Sequence, residues 1–218
     1  MTSRRVVAGE HVDTLLEAMS SGESDPGSAA FAALSAASGA ALVTAVTQRT
    51  LRRLAAGDEG AERLNEIARE ADAARPALLV SADREAETHE RLVMAARLPQ
   101  ETDEQRAARL VTLQSVLEDA MGAQLDLARR AVLLIGLAEE ATAASDPNAA
   151  ADGLAAVAAL HAAAVAALAN VELNAFAIVD PARREELTST CEALGERATR
   201  MLDDARRSFA ERVQHADP

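Results

Sequence analysis

An all-α, single-domain bundle of six or seven mostly long helices is the fold class this sequence predicts, and three observations carry it. Hydrophobic residues make up 49% of the chain, yet aromatics are 1% and tryptophan and tyrosine are absent. The apolar share is therefore chiefly alanine and leucine, which favour helix and do little to cover a pleated sheet. Apolar positions recur at three- and four-residue spacing along most of the chain. The interruptions are short clusters of Gly, Pro, Ser and Asp, none long enough to link two domains, so residues 1–218 read as one unit.

The first helix is expected over His11 to Met19, where Val12, Leu15, Leu16 and Met19 fall at helical spacing. Ser20 to Pro26 is a breaker cluster, and a long run from Ala29 to Ala56 follows. Its small residues, Ala32, Ser35, Ala36, Ser38 and Gly39, permit close helix approach. After a turn at Gly57 to Gly60, a helix runs to about Arg75, is ended or kinked at Pro76, and resumes to Arg97. Thr102 to Gln105 has the S/T-x-x-E/Q form of a reciprocal cap, so a helix starts near Asp103. It reaches Thr142, with Gly122 as a possible kink. Asp146-Pro147 and Asp180-Pro181 repeat a cap-then-proline start for the last two helices. The C-terminal HADP should fray.

Composition also excludes partners. The formal net charge is −13 and no basic stripe or aromatic platform offsets it, which argues against nucleic acid. All the positive charge is arginine, since lysine is absent. The segment from Gly153 to Val179 is long enough to span a bilayer, but it is mainly alanine and carries His161, Asn170, Glu172 and Asn174; it reads as a buried helix, with no membrane partner. One cysteine, Cys191, allows no internal disulfide and sits on an apolar stripe, and no secretory signal is evident, so the cytoplasm is the expected compartment. No His/Cys/Glu cluster has metal-ligand spacing, so no metal is expected.

Four segments carry a resemblance. Pro147 to Ala156 (PNAAADGLAA) has the form N-A-x-x-D, with Asp152 as its aspartate. Asn170-Val171-Glu172-Leu173-Asn174, then Ile178 and Asp180, resembles an N-V-R-I-N stretch followed by I-x-D. Glu85 to His89, leading to Arg97-Leu98-Pro99, resembles a D-x-x-A-[FY] segment that ends in K-L-P, with Glu85 standing at its aspartate. Ser24 to Ala30 lies where a P-G-G-G-S-A-A loop would stand. Together, over roughly Val12 to Asp180, they resemble the cyclodeaminase domain of formiminotransferase-cyclodeaminase and the related bacterial methenyltetrahydrofolate cyclohydrolases. Ala151 replaces the family's serine, Glu172 its arginine and His89 its aromatic, and Asp25 and Pro26 break the glycine loop.

The resemblance implies a homodimeric one-carbon enzyme with a tetrahydrofolate derivative as substrate and no permanently bound cofactor. Its reactions expel ammonia from a formimino group or add water to a methenyl bridge, and both need a proton donor or acceptor. Asp152 is the expected proton-transfer residue; alternatively it only favours the positive end of its helix. Gly27, Ser28, Glu85, His89, Asn148, Asn170 and Asn174 are the expected substrate-binding residues. Asn170 and Asn174, four apart, share a face and offer amides to a heterocycle, or else bridge packed helices. His89 is a stacking or proton-transfer group, or an exposed histidine on a charged helix. His161 reads as a satisfied core or interface residue. The altered motifs leave a second possibility open: a family member reshaped into a binder or scaffold, or acting on a different ligand.

Overall fold

The computed structural model describes residues 9–22, 27–55, 58–145 and 147–214. Helices α1 (Val12–Ser20), α2 (Ser28–Leu51), α3 (Gly60–Ala96), α4 (Asp103–Ala143), α5 (Ala150–Ala175) and α6 (Pro181–Gln214) account for nearly all of them, with a 3₁₀ turn at Pro147–Ala149 before α5 and no strand among the described residues. The all-α expectation holds. Ser24, Asp25 and Pro26 of the expected loop, Asp146 and the HADP tail lie outside the described residues.

The ends of the helices follow local chemistry. At α4, Gln105 N–H donates to Thr102 Oγ1 at 3.2 Å and Thr102 N–H to Gln105 Oε1 at 3.1 Å, the reciprocal cap expected there. At α6, Asp180 Oδ1 accepts from Ala182 N–H at 3.0 Å. Helix α2 stops at Leu51 rather than Ala56. Arg53 N–H turns back to Thr50 O at 2.9 Å, tightening the chain so that Leu54 packs on the core.

Pro76 neither ends nor divides α3. It lies on the exposed face, where water can satisfy the Asp72 carbonyl that loses its helical donor. Helix α4 likewise continues through Gly122.

Helices α2 and α5 form the centre of the bundle and run antiparallel. Ser28 meets Asn170 at one end, Gly39 faces Leu160 midway, and Arg49 meets Asp152 at the other. Small residues set the approach: Ala32, Ala33, Ala36 and Ala40 of α2 and Ala156, Ala163, Ala164 and Ala167 of α5 are fully buried. A Cβ on Gly39 would stand 2.5 Å from Leu160 Cγ and 3.1 Å from the Ala156 carbonyl oxygen, so glycine is needed for this spacing. Both helices are long and apolar enough to cross a bilayer by length and composition. Here they pack on each other, and α5 also packs on α4 and α6. Hydroxyls buried in this core bond along their own helix, as Thr50 Oγ1 does to Val46 O at 2.9 Å.

Cys191 is buried in α6, and burial, with Glu172 and Glu192 nearby, pushes its thiol up to about 11. His161 of α5 sits with Nε2 3.4 Å from Thr199 Oγ1. Its pKa lies below the ordinary value because of burial first and Arg206 second.

Candidate functional site

One cavity, of about 250 Å³, collects residues from four helices at the end of the bundle where α2 begins and α5 finishes. Gly27, Ser28, Ala29 and Ala30 come from the start of α2; Glu85, Thr88, His89 and Leu92 from α3; Ala120 from α4; Asn170, Leu173 and Asn174 from α5. The α3 set falls at i, i+3, i+4 and i+7, and the α5 set at i, i+3 and i+4, so each is one face of its helix. Six of the expected binding residues, Gly27, Ser28, Glu85, His89, Asn170 and Asn174, thus share one space although up to 147 positions separate them.

Ser28 Oγ donates to Asn170 Oδ1 at 2.8 Å, and Asn170 Nδ2 donates to Ala166 O at 3.0 Å. Both ends of that amide are engaged, so Asn170 does bridge packed helices, and it also holds the Ser28 hydroxyl at the cavity wall. Asn174, half-buried one turn further on, makes no side-chain hydrogen bond among the described residues, and its amide is open to the cavity. Gly27 caps α2 without a side chain, and Ser28, Ala29 and Ala30 of the first turn, whose amides no carbonyl within the helix can reach, are among the residues that line the same space. Thr88 Oγ1 is turned to its own helix, donating to Arg84 O at 2.9 Å. His89 is exposed and stands at the margin.

Among the described residues Glu85 is the one carboxylate that lines the cavity. It is half-buried, and its Oε2 accepts from Gln124 Nε2 at 3.0 Å. Gln124 is 4% exposed, on the stripe of α4 that also carries the buried Leu117, Ala120, Met121, Leu125 and Ala128. Sequence reasoning missed Gln124 and Thr88. The signal for Gln124 was an amide interrupting an otherwise apolar stripe; Thr88 follows from Glu85 by helical spacing.

Asp152 and Asn148 stand elsewhere. Asp152 lies in the first turn of α5, eighteen residues before Asn170 on one unbroken helix, which is a rise of about 27 Å. Its Oδ2 is 2.8 Å from Arg49 Nη1, at the last turn of α2, and both side chains are about two-fifths exposed. Asn148 is exposed in the 3₁₀ turn just before it. Within the chain, then, Asp152 and Asn148 are at one end of the bundle and the other six residues expected to hold the substrate are at the opposite end. Among the described residues no group of three His, Cys, Asp or Glu is placed to hold a metal ion.

A second cavity, of about 230 Å³, lies at that opposite end between α4, α5 and α6. It is mostly apolar, lined by Leu154, Val157 and Phe209 among others, with Glu139 and Asp204 at its edge. Burial first, and Asp204 second, raise the Glu139 pKa above the ordinary carboxylate value.

Comparison with known proteins agrees with this architecture. The chain is 30% identical over 189 residues to the methenyltetrahydrofolate cyclohydrolase of Methylorubrum extorquens, covering 87% of this chain and 90% of that one. Its fold matches the crystal structure of formiminotetrahydrofolate cyclodeaminase from Thermotoga maritima with a TM-score of 0.72, at 20% identity, over 95% of this chain and 99% of that one. The family model for formiminotransferase-cyclodeaminase matches residues 11–193, and this chain, a folate one-carbon protein of the cyclohydrolase and cyclodeaminase type, belongs to that family.

Proposed function

We propose that this protein hydrolyses the methenyl bridge of a tetrahydrofolate to the formyl form, in the cavity of Glu85, Ser28 and Asn174. One observation carries the reading: six of the seven expected binding residues, drawn from separate motifs, meet around the one carboxylate that lines the cavity among the described residues. The likeness to a methenyltetrahydrofolate cyclohydrolase over most of both chains supports it.

The cavity is smaller than the roughly 300–1,000 Å³ that encloses a drug-sized ligand. It therefore takes the bicyclic head and the bridge, with the tail passing out over Leu173, which is 69% exposed. The Asn174 amide and the first-turn amides of α2 match the donors and acceptors on a pterin edge. Glu85 faces the cationic bridge, and its negative charge favours binding there.

The chemistry needs one group that takes a proton and returns it. Glu85 removes a proton from a water as the water oxygen bonds to the bridge carbon; the carbon–nitrogen π electrons move to the ring nitrogen and the cation is discharged. Glu85 then protonates that nitrogen, its bond to the carbon breaks, and the hydroxyl proton leaves as the formyl carbonyl forms on the other nitrogen. The sum is one water consumed and one proton released. In this scheme Asp152 plays no part in proton transfer and stabilises the start of α5 with Arg49.

The test is the loss of methenyltetrahydrofolate absorbance with purified protein, with chromatographic identification of the formyl product. Decay faster than in buffer, in proportion to protein, is expected; decay equal to buffer contradicts the reading.

A further inference from the structure

Gln124 is hard to explain as a packing residue. It lies on a buried apolar stripe, its Oε1 is buried with no hydrogen-bond partner among the described residues, and its one side-chain hydrogen bond runs from Nε2 to Glu85 Oε2. A buried amide with an unsatisfied carbonyl lowers stability relative to an apolar side chain of the same length. What the position gains is a fixed donor one helical turn beyond Ala120, which lines the cavity.

We infer that Gln124 is a positioning residue that occupies Glu85 Oε2 and commits the other oxygen, Oε1, to the substrate water; this rests on the cavity being the hydrolytic site. The geometry gives the reason. Turned over, the amide would set its own oxygen against the carboxylate, so the donating orientation is the one that suits a charged Glu85. With Oε2 held, Oε1 has no protein partner among the described residues and is the oxygen left for whatever enters the cavity. A proton gained during the reaction then resides on Oε1, where it can be passed to the ring nitrogen. Without Gln124 the carboxylate rotates freely, and only a fraction of its orientations presents an oxygen to the water.

The experiment is Gln124→Met, which keeps the length and removes the donor, measured in the wild-type and Glu85→Ala backgrounds, with Gln124→Leu as a second variant. In the wild-type background kcat is expected to fall about ten- to a hundredfold, the size of a hydrogen bond to a charged group, with KM within about twofold. The melting temperature should stay level or rise, because the orphaned carbonyl is gone; a damaged fold would lower it. In the Glu85→Ala background the same substitution should change the residual rate by less than about twofold. Wild-type kcat in both Gln124 variants overturns the inference while leaving the hydrolytic reading intact if Glu85→Ala has lost activity. A further large loss in the Glu85→Ala background overturns it too, because Gln124 would then act by another route. Full activity of Glu85→Ala removes the reading beneath it.

Discussion

Arg49 and Asp152 meet at 2.8 Å across one end of the α2–α5 pair, while Ser28 and Asn170 meet at 2.8 Å across the other. Two polar contacts thus bracket a long alanine interface, and only the second opens on the cavity that collects Glu85 and Asn174. The first is a half-exposed ion pair at the foot of a helix. Such pairs contribute about 0–1 kcal/mol. Asp152→Asn should therefore lower the melting temperature by no more than about 4 °C, at the upper end of what such a pair is worth in a chain of this size. Thermal unfolding followed by circular dichroism checks this; a drop well beyond that range would mean Asp152 supports more than the end of α5.

Two helical glycines should respond with opposite sign to the same change. At Gly39 an added methyl meets the fully buried Leu160 and the Ala156 backbone, so Gly39→Ala should cost about 1–3 kcal/mol by overpacking. Nothing stands within 4 Å of a Cβ at Gly122, in the interior of α4. Gly122→Ala should gain about 0.5–1 kcal/mol, because alanine loses less chain entropy in a helix. Urea titration of both variants tests the pair, and a stabilised Gly39→Ala would contradict the close α2–α5 packing.

Glu139 gives a pH dependence with a definite sign. Its raised pKa means that the folded protein binds that proton more tightly than the unfolded chain, whose value is near 4.5. Stability from this group is complete below the unfolded value and is lost as pH rises through the raised, folded one. Glu139→Gln removes the charge that burial disfavours, so it should melt higher than the wild type at pH 7.5, with the gain shrinking toward pH 4. A gain that grows on acidification would refute the assignment.

Cys191 should be unreactive in the native protein. Its thiol is buried and its pKa is pushed up to about 11, so little thiolate is present or accessible near neutrality. A disulfide reagent at pH 8 should leave it unmodified until denaturant is added. Rapid stoichiometric modification of the folded protein would contradict its place in the α6 core.

The helices were legible because their ends are written in local chemistry: the Thr102–Gln105 cap and the Asp180–Pro181 start work within three or four residues. Of the two outcomes open at Pro76, an end or a kink, the end does not occur, because its exposed position, set by tertiary packing, decides whether the lost hydrogen bond matters. The gathering of Ser28, Glu85 and Asn170 came from the family resemblance and not from spacing, since contacts 142 residues apart depend on how α2 and α5 pair. The separation of Asp152 from Asn170, by contrast, was available from the start. Both belong to one uninterrupted helical stretch, and eighteen residues of helix rise about 27 Å, too far for one substrate head group to touch both.

Measuring methenyltetrahydrofolate hydrolysis by Glu85→Gln and Asp152→Asn side by side decides which carboxylate carries the reaction. Glu85→Gln should lose at least about a hundredfold in kcat, the usual size of a general acid–base contribution, while Asp152→Asn stays within about threefold of the wild type. An active Glu85→Gln beside an inactive, folded Asp152→Asn would contradict the assignment and move the site to the other end of the bundle.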